Sequence, residues 1–349
     1  MAQTGPPLPG NPDVRGETDR ATTIPTVRLG RTTLEVTRMI LGCASIGGLY
    51  SAVDAETAAG GLAAAWDIGV RTFDTAPHYG VGLSEERLGA FLAGHPRSEF
   101  VVSTKVGRLL VPTEADVEGA DGFFGTPRRT RVRDYSRDGV RRSIEQSCER
   151  LGLDRVDIAL IHDPDDYWEV AIGEAYPALD ELRREGVVTA IGAGMNQAAM
   201  LERFVNETDI DCVLAAGCYS LIEASGAQSL FPACRAAGVA VLAARVYESG
   251  VLANPRPGAK FRYADAPAEL VARVARIAEV CAGHGVALAA AALHYVLAHP
   301  DVTAVVIGAR SAENVQQNLD YLNQAVPQQL FDELAAEGLV APAFGAAHG

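Results

Sequence analysis

The segment FDTAPHYG, residues 73–80, places an acid, a histidine and a phenol directly after an apolar stretch. Two later apolar runs, FVVSTK and DIALIH, each end in an ionisable residue. A free phenol has a pKa of about 10 and transfers protons poorly near neutrality. A neighbouring ammonium lowers that pKa by stabilising the phenolate, and a carboxylate holds the ammonium in place. With a histidine that donates a hydrogen bond to the substrate oxygen, the set suits proton transfer at a carbonyl: Asp74, Tyr79, Lys105 and His162.

The same region allows two other interpretations. Taken singly, an acid at a strand end is often a turn cap, and a tyrosine or lysine there is often a solvated rim residue. The segment IHDPDD could also form a metal site from His162 with Asp163, Asp165 and Asp166. Such sites usually need histidines from several strand ends, and of the seven histidines only His78 joins His162 on the expected rim. We therefore expect no metal.

The elements that must position these residues follow from hydrophobic periodicity. Segments with helical apolar spacing, such as 54–68, 136–151 and 171–184, separate short continuous apolar runs, which indicates parallel strands. Eight such units predict a (β/α)8 TIM barrel. A doubly wound open sheet is the alternative, but GCASIGG lacks its G-x-G-x-x-G spacing. The predicted strands are 38–43, 70–74, 100–105, 157–162, 189–194, 212–217, 239–244 and 303–308.

Three segments lie outside this alternation. TVRLGRTTLEVT predicts an N-terminal β-hairpin that turns at Gly30 and Arg31 and closes the barrel floor. The long connections 108–134 and 246–267 follow strands, so we expect both on the C-terminal rim, where barrel enzymes carry active sites. Residues 1–25 are rich in Pro, Gly and charge, which predicts a disordered tail before a single domain, 26–349.

Composition narrows the class of protein. The net charge of −14 argues against a nucleic-acid partner, which requires a positive face. The N-terminus lacks the apolar core of a secretory signal, and no apolar run predicts a membrane span. The six cysteines include no C-x-x-C pair, which favours a reduced, cytoplasmic setting. The pattern specifies no oligomeric state.

The motifs together resemble the aldo-keto reductases over roughly residues 27–322. FDTAPHYG followed by SEERLG, then STK and IHDPD, stand in the order typical of that barrel family. The resemblance implies a nicotinamide-dependent oxidoreductase in which Tyr79 is the general acid and base and Asp74, Lys105 and His162 complete a tetrad. KVGRLL, DYSRDGV and AIGAGMNQ are similar to the branch of aldose and pyridoxal dehydrogenases.

The resemblance also implies a cofactor site. VIGARSAENVQQN ends the last strand and begins a helix near Ser311, and helix N-termini attract phosphate. SAEN is also close to a capping box, and both roles are compatible. The positions assigned to the cofactor are Ser45, Asp74, Asn196, Arg245, Val246, Ser249, Gly250, Gly308, Arg310, Ser311, Gln317 and Asn318, with Gln317 and Asn318 at the adenine.

Departures from the family pattern favour NAD over NADP. Gly308 and Asn314 stand where NADPH-preferring members often carry Lys and Arg, so two cations for the 2′-phosphate are missing, although Arg310 could supply one. Asn196 takes the place of a Ser-Asn pair. Ala244, followed by Arg245, stands where an aromatic usually stacks on the nicotinamide.

For the substrate, the resemblance implies an aldose or a related aldehyde. Tyr79 would accept the hydroxyl proton as a cyclic hemiacetal is oxidised to a lactone, or would donate it in the reverse direction. A sugar, pyridoxal and a secondary metabolite all stay open. Two alternatives are an NADPH-dependent aldehyde or ketone reductase and a nicotinamide-binding redox sensor with slow turnover. Candidate substrate contacts are Tyr50, His78, Phe123, Phe124 and Asp163.

Overall fold

A closed barrel of eight parallel strands is the core of the computed structural model, which describes residues 24–262 and 264–341. The barrel strands are β3, β4, β5, β8, β9, β10, β11 and β14 in chain order around the ring, and β14 pairs with β3 to close it. This confirms the (β/α)8 prediction, and the open-sheet alternative is wrong. The strands are β1 Thr26–Arg28, β2 Glu35–Thr37, β3 Met39–Gly42, β4 Thr72–Asp74, β5 Val101–Val106, β6 Arg108–Pro112, β7 Arg129–Arg133, β8 Ile158–His162, β9 Ala190–Met195, β10 Cys212–Ala216, β11 Ala240–Ala244, β12 Lys260–Phe261, β13 Ala264–Asp265 and β14 Val302–Gly308.

Helices surround the barrel and begin where capping residues allow. The side chains of Asp54, Ser136 and Ser311 accept hydrogen bonds from backbone N–H groups three residues later, as N-caps do. A π-helical stretch, Ala171–Ala175, precedes α5 (Tyr176–Arg184), within a segment predicted as helical throughout. The helices are α1 Ala55–Asp67, α2 Leu83–Leu92, α3 Arg137–Leu151, α4 Trp168–Val170, α5 Tyr176–Arg184, α6 Ala198–Glu207, α7 Ser225–Gln228, α8 Leu230–Ala237, α9 Ala268–Gly283, α10 Leu288–Leu297, α11 Ala312–Asn323 and α12 Gln328–Ala336.

Within the described residues, no single helix is long and apolar enough to cross a membrane. In the described part of the chain, α9 and α10 taken together have sufficient length and apolar composition, and the two meet at 92°.

The hairpin β1–β2 closes the barrel floor, as predicted. Leu29 at its turn is fully buried and belongs to one apolar cluster with the barrel-interior residues Ile158 and Ala240. Gly30 has a φ of +52°, and a Cβ there would lie 2.6 Å from the carbonyl oxygen of Gly238, so the turn requires glycine.

The two long connections contain structure of their own on the C-terminal rim. Residues 108–134 form an antiparallel hairpin, β6–β7, rather than a structureless loop. Its tip reaches the loop after β3, where Tyr50 N donates to Gly122 O at 2.8 Å and Phe124 N donates to Gly48 O at 3.0 Å. The segment 246–267 includes the short pair β12–β13. These contacts fix the 113–128 loop beside the barrel mouth.

The predicted N-terminal tail lies outside the described residues, except for its last two positions. Ile24 is 2% exposed, and the carbonyl oxygen of Pro25 accepts a hydrogen bond from Arg38 N at 2.8 Å. These two residues therefore belong to the fold, because an isoleucine beside the barrel floor gains from burial.

Candidate active site

The four residues of the proposed tetrad meet at the carboxyl ends of three neighbouring strands. Asp74 ends β4, Lys105 is the fifth of the six residues of β5, and His162 ends β8. Tyr79 follows β4 in a short helical turn. Gly80, with a φ of +61°, lets that turn approach the loop after β3, because a Cβ there would lie 2.2 Å from Gly47 O.

Asp74 and Lys105 form a buried ion pair. The Lys105 ammonium lies 3.0 and 2.8 Å from the two carboxylate oxygens of Asp74, and it also donates to Thr75 O at 2.9 Å. Ser103 Oγ donates to Asp74 Oδ1 at 2.9 Å. Lys105 is 1% exposed and Asp74 3% exposed. Burial lowers the pKa of Lys105, but the charges of Asp74 and Tyr79 and hydrogen bonds to both raise it, so the net pKa lies above the ordinary lysine value. Lys105 is therefore a cation at every pH near neutrality.

Tyr79 contacts Lys105 on one side and an aromatic wall on the other. The ammonium lies 4.6 Å from the centre of the phenol ring. Phe123 is nearly parallel to that ring, with centroids 6.2 Å apart and planes at 28°. His162 stands perpendicular to it, with centroids 6.0 Å apart. The phenol thus has both a cation and an imidazole as neighbours, as the proposed proton transfer needs.

His162 is neutral, and its ring and its backbone carbonyl contact residues that were not predicted from the sequence. Burial, followed by the charges of Arg108 and Lys105, holds the pKa of His162 well below its ordinary value. Arg108 Nη1 lies 3.5 Å from His162 Nδ1, and Arg108 Nη2 donates to Asp163 Oδ2 at 2.8 Å. Tyr135 Oη donates to the carbonyl oxygen of His162 at 2.6 Å. No pattern around Arg108 indicated this contact, since it depends on how the β6–β7 hairpin folds back.

His78 also reaches the site. Its ring lies 5.6 Å from that of His162 and 5.4 Å from that of Phe123, centroid to centroid. Its Nδ1 is buried and has no hydrogen-bond partner among the described residues. Burial, then the charges of Arg108 and Arg131, lower the pKa of His78 to about 2. A neutral ring with an unsatisfied polar atom beside the cavity suits a substrate contact.

A cavity of about 720 Å³ opens above the tetrad. Its wall is aromatic on the side of the 113–128 loop and polar near β8 and β9, where Asp163 and Asn196 lie. All five residues predicted to contact substrate line it: Tyr50, His78, Phe123, Phe124 and Asp163.

A second cleft of about 670 Å³ adjoins this cavity, and Tyr50, Tyr79 and Ala216 line both. Most of the residues predicted to bind cofactor line the cleft: Ser45, Asp74, Arg245, Val246, Ser249, Gly250, Gly308, Arg310, Gln317 and Asn318. Two are placed elsewhere. Asn196 lines the first cavity, and Ser311 caps α11 by accepting from Asn314 N at 3.3 Å.

The polar groups of this cleft fit a dinucleotide. The hydroxyl of Ser249 is buried and lacks a hydrogen-bond partner among the described residues, as a donor for a phosphate oxygen would without its ligand. Arg245 Nη1 donates to Asn196 Oδ1 at 2.9 Å, so Arg245 of the cleft is joined to Asn196 of the first cavity. Tyr79, which lines both spaces, and Ser249 are among the residues that would hold such a cofactor.

Among the cleft residues that received no individual assignment from the sequence are three with polar side chains, Tyr247, Tyr321 and Asn254. Tyr247 Oη lies 3.1 Å from Asn318 Oδ1 and donates to it, and its ring meets that of Tyr321 edge to face at 6.5 Å. Tyr247 can be read in the segment RVYESG, but its contact with α11 depends on the fold.

The His162–Asp163 segment was the basis of the metal alternative. Across residues 24–262 and 264–341, no group of three or more His, Cys, Asp or Glu side chains is arranged to hold a metal ion. Asp163 instead pairs with Arg108.

The chain is similar in sequence and fold to known proteins. The model of the aldo/keto reductase family matches residues 38–336. D-threo-aldose 1-dehydrogenase from Pseudomonas sp. is 44% identical over 306 residues, covering 86% of this chain and 93% of that protein. Pyridoxal 4-dehydrogenase from Microbacterium luteolum is 39% identical over 332 residues, covering 89% and 97%. The solved structure of the aldo-keto reductase AKR11C1 from Bacillus halodurans has a TM-score of 0.71 at 23% identity, over 93% of this chain and 99% of that one.

Proposed function

The chain belongs to the aldo/keto reductase family and is a nicotinamide-dependent oxidoreductase, and we propose that it oxidises the hemiacetal carbon of an aldose, or a related aldehyde, with NAD. The observation that carries this proposal is the position of Tyr79. Its ring contacts the Lys105 ammonium and lines both the substrate cavity and the cofactor cleft. A proton acceptor at that junction can act at the carbon from which hydride leaves.

The proposed roles follow from the contacts of each side chain. Asp74 holds Lys105 as a cation, and Lys105 stabilises negative charge on the Tyr79 oxygen. Tyr79 accepts the hydroxyl proton of the hemiacetal as its C–O bond becomes a carbonyl. Neutral His162 orients the substrate oxygen with a hydrogen bond. A nicotinamide bound in the cleft would supply the hydride acceptor for the same carbon.

Two features of the cleft support NAD rather than NADP. Among the described residues that line it, the cations are Arg245 and Arg310. Arg310 donates a hydrogen bond to Ser51 Oγ, and Arg245 contacts Asn196 and Glu248. Asn314 lines the cleft at the position where a cation would favour the 2′-phosphate.

The cavity supports a small, uncharged substrate with hydroxyl groups. Asp163 and Asn196 offer hydrogen bonds on one side, and Phe123 and Phe124 offer apolar faces on the other. This combination suits an aldose, whose rings present both hydroxyls and C–H faces, and it also admits an aromatic aldehyde such as pyridoxal. The relatives named for these two substrates support the same pair of classes.

A substrate screen tests the proposal. Purified protein with NAD or with NADP would be mixed with L-fucose, D-arabinose, pyridoxal and simple aldehydes, and reduced nicotinamide followed by absorbance. We expect turnover with NAD and an aldose or pyridoxal that a chelator does not abolish. Turnover only with NADPH and an unrelated ketone would favour a reductase of secondary metabolism, and tight nicotinamide binding without turnover would favour a redox sensor.

A further inference from the structure

Arg108 is the first residue of β6 in the β6–β7 hairpin, and its side chain contacts His162. Its side chain is 10% exposed, and its guanidinium spans from the imidazole to a carboxylate. Nη1 lies 3.5 Å from His162 Nδ1, and Nη2 lies 2.8 Å from Asp163 Oδ2. We propose that Arg108 is a positioning residue that fixes which nitrogen of His162 carries the proton, an inference that rests on the proposed function for its catalytic consequence.

The chemistry of the guanidinium decides the tautomer. Arginine has five N–H donors and no acceptor. His162 Nδ1 can approach it only as an acceptor, with its lone pair toward Nη1. The single proton of the neutral ring is therefore on Nε2. Asp163 Oδ2 lies 3.5 Å from Nε2 and already accepts from Arg108 Nη2 at 2.8 Å, so the Nε2 N–H stays available to a substrate oxygen.

The charged groups around His162 keep that ring neutral. Arg108 and Lys105 face it with positive charge, and His78 faces it as a neutral ring. Asp163 provides the only carboxylate among the described residues in contact with His162, and that carboxylate is paired with Arg108. With the ring neutral, His162 donates a hydrogen bond and Tyr79 remains the group that exchanges a proton.

The β6–β7 hairpin holds Arg108 beside His162. Arg108 pairs with Arg133 across the hairpin, and Tyr135, just beyond β7, donates to the carbonyl oxygens of His162 and Asp163 at 2.6 and 2.9 Å. The hairpin that carries Arg108 is therefore tied to the strand end that carries His162. Displacing the Arg108 guanidinium would break its contacts with both His162 and Asp163.

The test is the ¹⁵N spectrum of imidazole-labelled protein, with His162 assigned from a His162→Gln sample. In the full-length wild-type protein we expect the signature of an unprotonated Nδ1 and a protonated Nε2 across pH values of about 5 to 8. Arg108→Met should give a mixture of tautomers and a titration of His162 in that range. Arg108→Lys, which retains a cationic donor, should keep the wild-type tautomer.

Kinetics give the second readout. Arg108→Met should lower kcat/KM at least about tenfold and add an acidic limb to its pH profile, because the freed imidazole can protonate. The matched control is Arg150→Met, since Arg150 is 12% exposed and pairs with Glu85 away from the cavity. It should leave the His162 spectrum unchanged. A proton on Nδ1 in the wild type, or an unchanged His162 spectrum in Arg108→Met, would overturn the inference, whereas absent turnover with the expected spectrum would count against the proposed function alone.

Discussion

The ammonium of Lys105 lies 4.6 Å from the centre of the Tyr79 ring while it donates to both carboxylate oxygens of Asp74. A buried cation thus connects a carboxylate inside the barrel to a phenol at its mouth. Because the carboxylate compensates the charge of the ammonium, the cation can stay buried beside the neutral phenol without leaving an unpaired ion in the core. The geometry therefore links the stability of the barrel to the chemistry proposed for it.

Removing one partner of the Asp74–Lys105 pair should destabilise the protein as well as inactivate it. Lys105→Met leaves the Asp74 carboxylate buried without a cation, which costs about 3–5 kcal/mol. We expect a loss of that size in the free energy of unfolding, measured by urea denaturation, together with loss of turnover.

The double variant Asp74→Asn/Lys105→Met separates the two effects. It removes both charges, so most of the lost unfolding free energy should return while turnover stays absent. A double variant as unstable as Lys105→Met alone would show that the pair is not the source of the destabilisation.

The barrel and the rim shared by the tetrad residues could be predicted because both depend on local sequence pattern. Eight apolar runs, separated by helical periodicity, are sufficient to indicate the barrel, because each strand is buried on both faces. A closed barrel then places the residues at or next to the carboxyl ends of β4, β5 and β8 on one rim, so Asp74, Lys105 and His162 could be expected together.

Contacts between distant loops could not be predicted in this way. Arg108 reaches His162 only because residues 108–134 fold into a hairpin, and this segment reads as a long connection in the sequence. Arg310 was predicted to lie near the cofactor phosphates. Its hydrogen bond to Ser51, however, depends on where the loop after β3 lies. Contacts of this kind between distant loops leave no periodic pattern in the sequence from which they could be predicted.

A cation at residue 314 should shift cofactor preference. Asn314 lines the cleft at the start of α11, and Asn314→Arg would add a guanidinium able to make charge-assisted bonds with a 2′-phosphate. Such bonds contribute about 1.5–3 kcal/mol. We expect the ratio of kcat/KM for NADP to that for NAD to rise roughly tenfold to a hundredfold.

Gln316→Arg is the matched control on the same helix. Gln316 Nε2 donates to Asp320 Oδ1, and the residue is exposed outside the cleft. An equal shift in cofactor ratio from both variants would mean that net charge, rather than a specific contact, determines the preference.

The buried histidines should make stability depend on pH. In the folded protein the pKa of His78 is about 2, whereas an unfolded histidine titrates near 6.5. Below pH 6.5 the unfolded chain binds a proton that the folded chain does not, so the free energy of unfolding falls as pH falls, by up to about 1.4 kcal/mol per pH unit for this group. Urea unfolding of His78→Gln should show a slope flatter by that amount between pH values of about 6.5 and 5. An unchanged slope would mean that His78 is protonated in the folded state.

The central claim is that Tyr79 exchanges the proton that accompanies hydride transfer. Its most direct test is single-turnover reduction of NAD by Tyr79→Phe, with Tyr176→Phe as control, since the Tyr176 hydroxyl contacts Asp209 N away from both cavities. We predict that Tyr79→Phe binds NAD as the wild type does but transfers hydride about 10²–10⁴-fold more slowly. Hydride transfer at the wild-type rate in Tyr79→Phe would contradict the account.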